Sequence, residues 1–138
     1  MTEWVIDACL ALQWFLEDEA DRAYSLAILR GLSENEAIVP ILWYYEVGNG
    51  LTMAHRRKRI TFQQVTEFLN RLELLPIRLA AQEPATICQL PNLAQVHELT
   101  SYDAAYLELA MRLRLPLATN DRSLRRAAAA ANVTLVQP

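Results

Sequence analysis

Four carboxylates in this 138-residue chain stand where chemistry could be done: Asp7, Glu46, Asp103 and Asp121. No histidine or cysteine set accompanies them, since His55 and His97 stand alone and Cys9 and Cys88 fit no metal or redox spacing. A set of carboxylates without such partners selects a hard cation with oxygen ligands, Mg²⁺ or Mn²⁺ rather than zinc. Ions of this kind bring a water to a phosphodiester and neutralise the charge that develops there. Each acid also has a plainer reading. Asp7 and Asp121 suit helix caps, Asp103 suits a helix's first turn, and Glu46 can reach water from the edge of an apolar stripe. No single position is diagnostic.

The surrounding sequence says which elements would carry these acids. Trp4 to Ile6 reads as a short buried strand ending on Asp7, and the A-C-L-A-L-Q-W-F-L behind it as a helix that Asp7 caps. A second helix is expected from about Glu19 to Leu32, with Glu17, Asp18, Glu19 and Asp21 as its solvated, dipole-favoured start. Ala37 to Val39 reads as a second strand. Pro40 then opens a helix to about Arg57, on which Leu42, Glu46, Asn49 and Met53 share a face. Gly48 and Gly50 each cost about 1 kcal/mol relative to alanine inside a helix, so they predict close packing or an approach by something else. The closing H-R-R-K-R suits the negative end of the helix dipole, a plainer account than an RNA-binding patch.

Thr61 and Gln64 form a capping-box pattern, and Val65, Phe68, Leu69 and Leu72 mark the buried face of the helix behind it. L-L-P-I-R-L is a third strand, with Pro76 at its start or at a sheet edge. From Gln82 to His97 a helix interrupted at Pro91 is expected. Thr100 or Ser101 caps the next helix, whose Ala104, Leu107, Ala110 and Met111 recur at helical spacing, and the apolar L-P-L-A follows Arg114 as a buried strand. Asp121 stands just beyond that strand and ahead of an alanine-rich helix. A last strand is expected at Val133 to Val136.

Strands alternating with helices at this spacing predict a single α/β domain over residues 1–138, with a parallel or mostly parallel sheet covered on both faces. In such sheets ligands bind outside the carboxyl ends of the strands, where Asp7 and Asp121 fall. Hydrophobic residues make up 53% of the chain, more than a small domain strictly needs, so some apolar surface is expected to meet a partner. Trp14, Phe15, Trp43 and Tyr44 are the candidates to line a groove for it, against the plainer role of core packing. The net charge of −3 argues mildly against indiscriminate nucleic-acid binding. Basic side chains gather at Arg56 to Arg59 and at Arg112, Arg114, Arg122, Arg125 and Arg126, so local basic patches remain open.

Glu3 and Asp7 spoil an N-terminal targeting segment, and no apolar run approaches the roughly 20 residues of a membrane helix. A soluble, cytoplasmic, reduced protein is expected. G-x-x-x-x-G-K-[ST], G-x-G-x-x-G and G-x-S-x-G are all missing, so nucleotide hydrolysis, dinucleotide binding and serine esterase chemistry lack their sequence hardware.

V-I-D-A at Val5, P-x-L-x-x-x-E-V-x-N from Pro40 to Asn49, S-Y-D-A-A-Y-L at Ser101 and L-A-T-N-D at Leu117 resemble the PIN-domain ribonucleases, and more narrowly the VapC toxins of toxin-antitoxin operons. The likeness runs in order over essentially the whole chain. It implies an α/β/α sandwich in which Asp7, Glu46, Asp103 and Asp121 are the acidic quartet that holds Mg²⁺ or Mn²⁺, with Thr119 orienting the site through its hydroxyl. It also implies endonucleolytic cleavage of RNA by an activated water, homodimerisation, and inhibition by a cognate antitoxin. Cys9 departs from the serine or threonine common at that place, which puts a hydroxyl contact near the metal in doubt. Gly48 and Gly50 depart from larger residues, and no fifth acid follows Asp121.

Two other classes compete. A non-catalytic PIN-like interaction module would keep the fold with vestigial acids. A phosphoacceptor signalling domain would want paired acids after the first strand and a lysine after the last, whereas Asp7 stands alone and Lys58 is the one lysine.

Overall fold

The computed structural model describes residues 2–138. Among them are four strands, β1 (Glu3–Ile6), β2 (Glu36–Val39), β3 (Ile77–Leu79) and β4 (Leu117–Ala118). Eight helices connect them: α1 (Ala8–Phe15), α2 (Arg22–Gly31), α3 (Ile41–Arg56), α4 (Phe62–Glu73), α5 (Pro84–Cys88), α6 (Leu90–His97), α7 (Ser101–Leu113) and α8 (Arg122–Ala130). The sheet order is β3-β2-β1-β4, and every pairing is parallel. From β1 the chain steps outward to β2 and β3, then returns to the far side of β1 as β4. Right-handed crossovers therefore place α1 to α4 on one face and α5 to α8 on the other. The packing agrees, with α1 against α2 and α3, α3 against α4, and α7 against both α6 and α8. This is the α/β architecture that the strand and helix spacing predicts.

The central strands carry the core. Val5, Ile6, Ile38, Val39, Leu117 and Ala118 are buried, as continuous apolar runs must be when helices cover both faces. β3 is an edge strand, and Pro76 immediately before it offers its carbonyl to the Ala37 N–H at 2.9 Å. That position costs the ladder no donor. The Thr61–Gln64 capping box forms in full at the start of α4.

Several expected details differ. The second helix begins at Arg22 rather than near Glu19, and the acidic run lies in the turn before it. Asp18 and Glu19 there bind Arg59, at 2.7 and 2.9 Å. Arg59 therefore ties the turn after α3 to the turn after α1 instead of serving the helix dipole. The weak segment after Gln82 breaks at Gln89, and Pro91 lies in the first turn of α6, where its missing N–H costs nothing. The strand expected at Val133 to Val136 reduces to one bridge between Leu117 and Leu135, because β4 offers only two residues to pair with. Leu69 and Met111, expected on buried faces, are exposed.

The early aromatics divide sharply. Trp14, Phe15 and Trp43 are core residues, and Tyr44 alone of the four is exposed. Trp14 Nε1 donates to the Ser25 carbonyl at 2.7 Å, and Phe15 stacks on Phe68 with ring centroids 4.8 Å apart. The Trp14 and Phe15 contacts join α1 to α2 and to α4, whereas Trp43 and Tyr44 line a hollow of about 320 Å³ together with Leu69, Leu72, Leu75 and Ile77. The two glycines of α3 divide as well. A Cβ at Gly50 would stand 2.5 Å from the Leu12 side chain, so Gly50 lets α1 and α3 meet closely, whereas Gly48 has open space beside it.

Candidate active site

The return of the chain from β3 to β4 makes the β1–β4 seam the point where the sheet order reverses. The crevice beyond the carboxyl ends of those strands is where an open parallel sheet binds its ligand. Asp7 follows β1 directly and its N–H donates to the Ala118 carbonyl at 3.0 Å, while Thr119, Asn120 and Asp121 follow β4. The two strand ends therefore deliver Asp7, Thr119 and Asp121 side by side.

Asp7 caps α1, its Oδ1 accepting from the Cys9 N–H at 3.3 Å. Its Oδ2 accepts from the Thr119 hydroxyl at 2.7 Å and from the Cys9 thiol at 3.2 Å. The Thr119 hydroxyl also accepts from the Asp121 N–H at 3.0 Å, so one fully buried oxygen links both strand-end acids. Asp121 caps α8 through Oδ1, which accepts from the Leu124 N–H at 2.8 Å. Arg125 in the first turn of α8 donates to the Thr119 carbonyl at 2.8 Å, and its guanidinium lies over the Tyr24 ring. The Asn120 side-chain amide donates to Gln13 on α1 at 2.8 Å. This end of the sheet is thus held by bonds from three segments.

The other two acids come from helices. Asp103 is in the first turn of α7, whose cap is Thr100; the Thr100 hydroxyl accepts from the Asp103 N–H at 3.1 Å. Glu46 sits one and a half turns into α3. The Tyr106 hydroxyl, from α7, donates to its Oε1 at 2.5 Å.

The four carboxylates form one electrostatic neighbourhood. Burial pushes Asp7 above the ordinary carboxylate range; the Thr119 and Cys9 bonds pull it back, and the charge of Asp121 adds to the rise. Burial also raises Glu46, which the Tyr106 bond opposes and the charges of Asp7 and Asp103 reinforce. For Asp103 burial again comes first, followed by the charges of Asp121 and Asp7. The Cys9 thiol is raised chiefly by burial and then by Asp7, so it stays protonated and serves as a weak donor. Among the described residues no three His, Cys, Asp or Glu side chains stand close enough to hold an ion as they are placed.

Sequence reasoning missed Tyr106, Gln13 and Arg125. For Tyr106 a signal was present: a tyrosine three residues after Asp103 on the buried face of α7 must find a partner for its hydroxyl. A surface hollow of about 480 Å³, lined by Leu115, Pro116, Asn132 and Val133 among others, lies at the opposite end of β4, and no carboxylate lines it.

Comparison with known proteins bears on this site directly. Residues 4–130 match the model of the PIN domain. The chain belongs to the PIN-domain family. Within that family it is 33% identical over 125 residues to ribonuclease VapC1 of Mycobacterium tuberculosis, an alignment that covers 90% of each chain. The crystal structure of PAE2754 from Pyrobaculum aerophilum is similar to this PIN domain, with a TM-score of 0.68, 25% identity, and coverage of 91% of this chain and 84% of that one. A toxin–antitoxin complex from Klebsiella pneumoniae contains the same fold, with a TM-score of 0.58, 19% identity and 85% of each chain covered. No helix of this PIN domain, among the described residues, is long and apolar enough to cross a membrane.

Proposed function

We propose that this chain is an endoribonuclease, the toxin of a toxin–antitoxin pair, which hydrolyses RNA phosphodiester bonds at the β1–β4 seam with Mg²⁺ or Mn²⁺. The observation that carries the reading is the delivery of Asp7 and Asp121 side by side from the β1 and β4 ends, joined through Thr119, with the helix-borne Asp103 and Glu46 near enough for the charge of Asp7 to be felt at both. The likeness to a protein named a ribonuclease supports RNA as the substrate class. The likeness to a toxin–antitoxin complex suggests a cognate antitoxin as partner. A homodimer and a cytoplasmic site of action complete the reading.

The donor set fits a hard cation. Four carboxylates and a threonine hydroxyl are oxygen donors, and the protonated Cys9 thiol is a poor ligand for a soft metal. Mg²⁺ keeps several waters and is often held through one or two carboxylates, so a site whose acids stand apart can still take it. Asp7, Glu46, Asp103 and Asp121 would hold the ion, which when bound supplies positive charge at the phosphodiester and lowers the pKa of water. Thr119 keeps Asp7 and Asp121 in register, with its proton toward Asp7 and its lone pair toward the Asp121 N–H. Arg125 fixes the Thr119 carbonyl, and with it the turn that carries Asp121. The spacing of the acids is the one feature that favours a non-catalytic module instead.

Cleavage of total RNA decides between these readings. Wild type should cut with Mg²⁺ or Mn²⁺ and stop in chelator, and Asp103→Asn should lose more than about a hundredfold, beyond the usual cost of an outer-shell change. Undiminished cutting by that variant, or in chelator, would sink the proposal.

A further inference from the structure

The four acids are not held alike. Asp7 and Asp121 are short side chains fixed by caps on the helices they precede, and both are bonded through Thr119. Glu46 has one more rotatable bond, comes from within α3, and has no cap to hold it. Among the described residues the Tyr106 hydroxyl is the one hydrogen-bond partner of its carboxylate, on Oε1. Tyr106 itself is fully buried in the core, on the inner side of α7. It also follows Asp103 by three residues, one turn along the same helix, so the element that presents Asp103 also fixes Glu46.

From this we infer that Tyr106 is a positioning residue for the metal site: its hydroxyl clamps Glu46 through Oε1, leaves Oε2 free for a divalent cation, and locks the two helix-borne acids into one unit. A buried tyrosine needs a partner for its hydroxyl wherever it sits. A backbone carbonyl would satisfy that need, yet here the partner is the Glu46 carboxylate, which has no other hydrogen-bond partner among the described residues. Tyr106 touches neither substrate nor ion. It acts through Glu46, by sparing the ion the cost of ordering a flexible carboxylate.

The inference rests on the proposed metal-dependent reading, and the test separates the two. Mn²⁺ binding to wild type and to Tyr106→Phe is titrated by the loss of the free-ion EPR signal, alongside melts without metal and cleavage across Mn²⁺ concentrations. The phenylalanine keeps the ring in its pocket and removes only the oxygen. Tyr106→Phe should bind Mn²⁺ about tenfold more weakly, at the low end for an outer-shell partner, and recover most of its cleavage rate at saturating Mn²⁺. Its melting temperature without metal should stay within a few degrees of wild type. Wild-type Mn²⁺ affinity in a folded Tyr106→Phe overturns the inference and leaves the nuclease reading standing. Loss of the fold in that variant also overturns it, since the hydroxyl would then serve stability. Cleavage by wild type without measurable Mn²⁺ binding removes the metal reading and the inference together.

Discussion

The strand side and the helix side of the acidic site are built on different principles. At the β1–β4 seam Asp7 and Asp121 are helix caps as well as candidate ligands, and each makes bonds that the fold itself uses. On the α3–α7 wall Asp103 and Glu46 serve no cap: Thr100 caps α7 in place of Asp103, and among the described residues Glu46 bonds only to Tyr106. The same residue type therefore has two accounts. A strand-side acid is explained in part by stability, whereas a helix-side acid, half-buried and repelled by its neighbours, costs the metal-free fold more than its bond to Tyr106 or Thr100 offsets. The helix-side pair is the stronger sign of function, although the strand-side pair is easier to see in the sequence.

The largest effect on stability should come from the link within the strand side. Thr119→Val keeps shape but removes the donor to Asp7 and the acceptor for the Asp121 N–H. Hydrogen bonds to charged groups contribute about 1.5–3 kcal/mol, so the urea midpoint should fall by an amount in that range. A variant as stable as wild type would mean that Thr119 does not bind the two strand ends together. A smaller effect sharpens the contrast between the two sides. Asp121→Ala should cost about 1 kcal/mol while Asp121→Asn costs little, because asparagine caps as well as aspartate and alanine does not. Asp103→Ala should cost nothing, since alanine favours the helix and the like-charge repulsion disappears. Equal losses at Asp103 and Asp121 in denaturant melts would erase the distinction.

The smallest predicted effect is on pH. Asp7, Glu46 and Asp103 all have folded pKa values above their ordinary ones. Such a group binds its proton in the folded state at a pH where the unfolded chain has lost it, so stability rises as pH falls through the raised values toward the ordinary ones. Asp18 works the other way. The Arg59 bond lowers it, and its exposed contribution is present above its ordinary pKa and fades as pH falls toward the lowered one. Metal-free melts from about pH 7 to about pH 5 should therefore show a rising midpoint. A falling midpoint across that window would mean that the carboxylates are stabilised by pairing and do not repel.

How much of this could be read from the chain follows the range of the interaction. Asp7 and Asp121 were legible because a buried strand ending on a cap residue is a local pattern, and the Thr61–Gln64 box and the edge position after Pro76 were legible for the same reason. The parallel sheet followed from alternation along the chain. What stayed hidden were side-chain pairs across long separations: Tyr106 with Glu46, Arg59 with Asp18, and Asn120 with Gln13. Trp14 and Phe15 misled because size and polarity do not say which face a short helix buries, and so Phe15 on Phe68 could not be foreseen. Gly48 and Gly50 looked alike in sequence, and only the approach of Leu12 separates them.

The central claim is that the strand-side and helix-side acids repel one another until a divalent ion joins them. Thermal melts of wild type and Asp103→Asn, each without metal and with Mn²⁺ in excess, test it most directly. A ligand that binds only the folded state adds about 2.7 kcal/mol at a hundredfold excess over its Kd, which should raise the wild-type midpoint by several degrees. Asp103→Asn should melt above wild type without metal, because one repelling charge is gone, and should gain much less from Mn²⁺. If Asp103→Asn melts below wild type without metal and gains as much from Mn²⁺, the acids do not form one cation site.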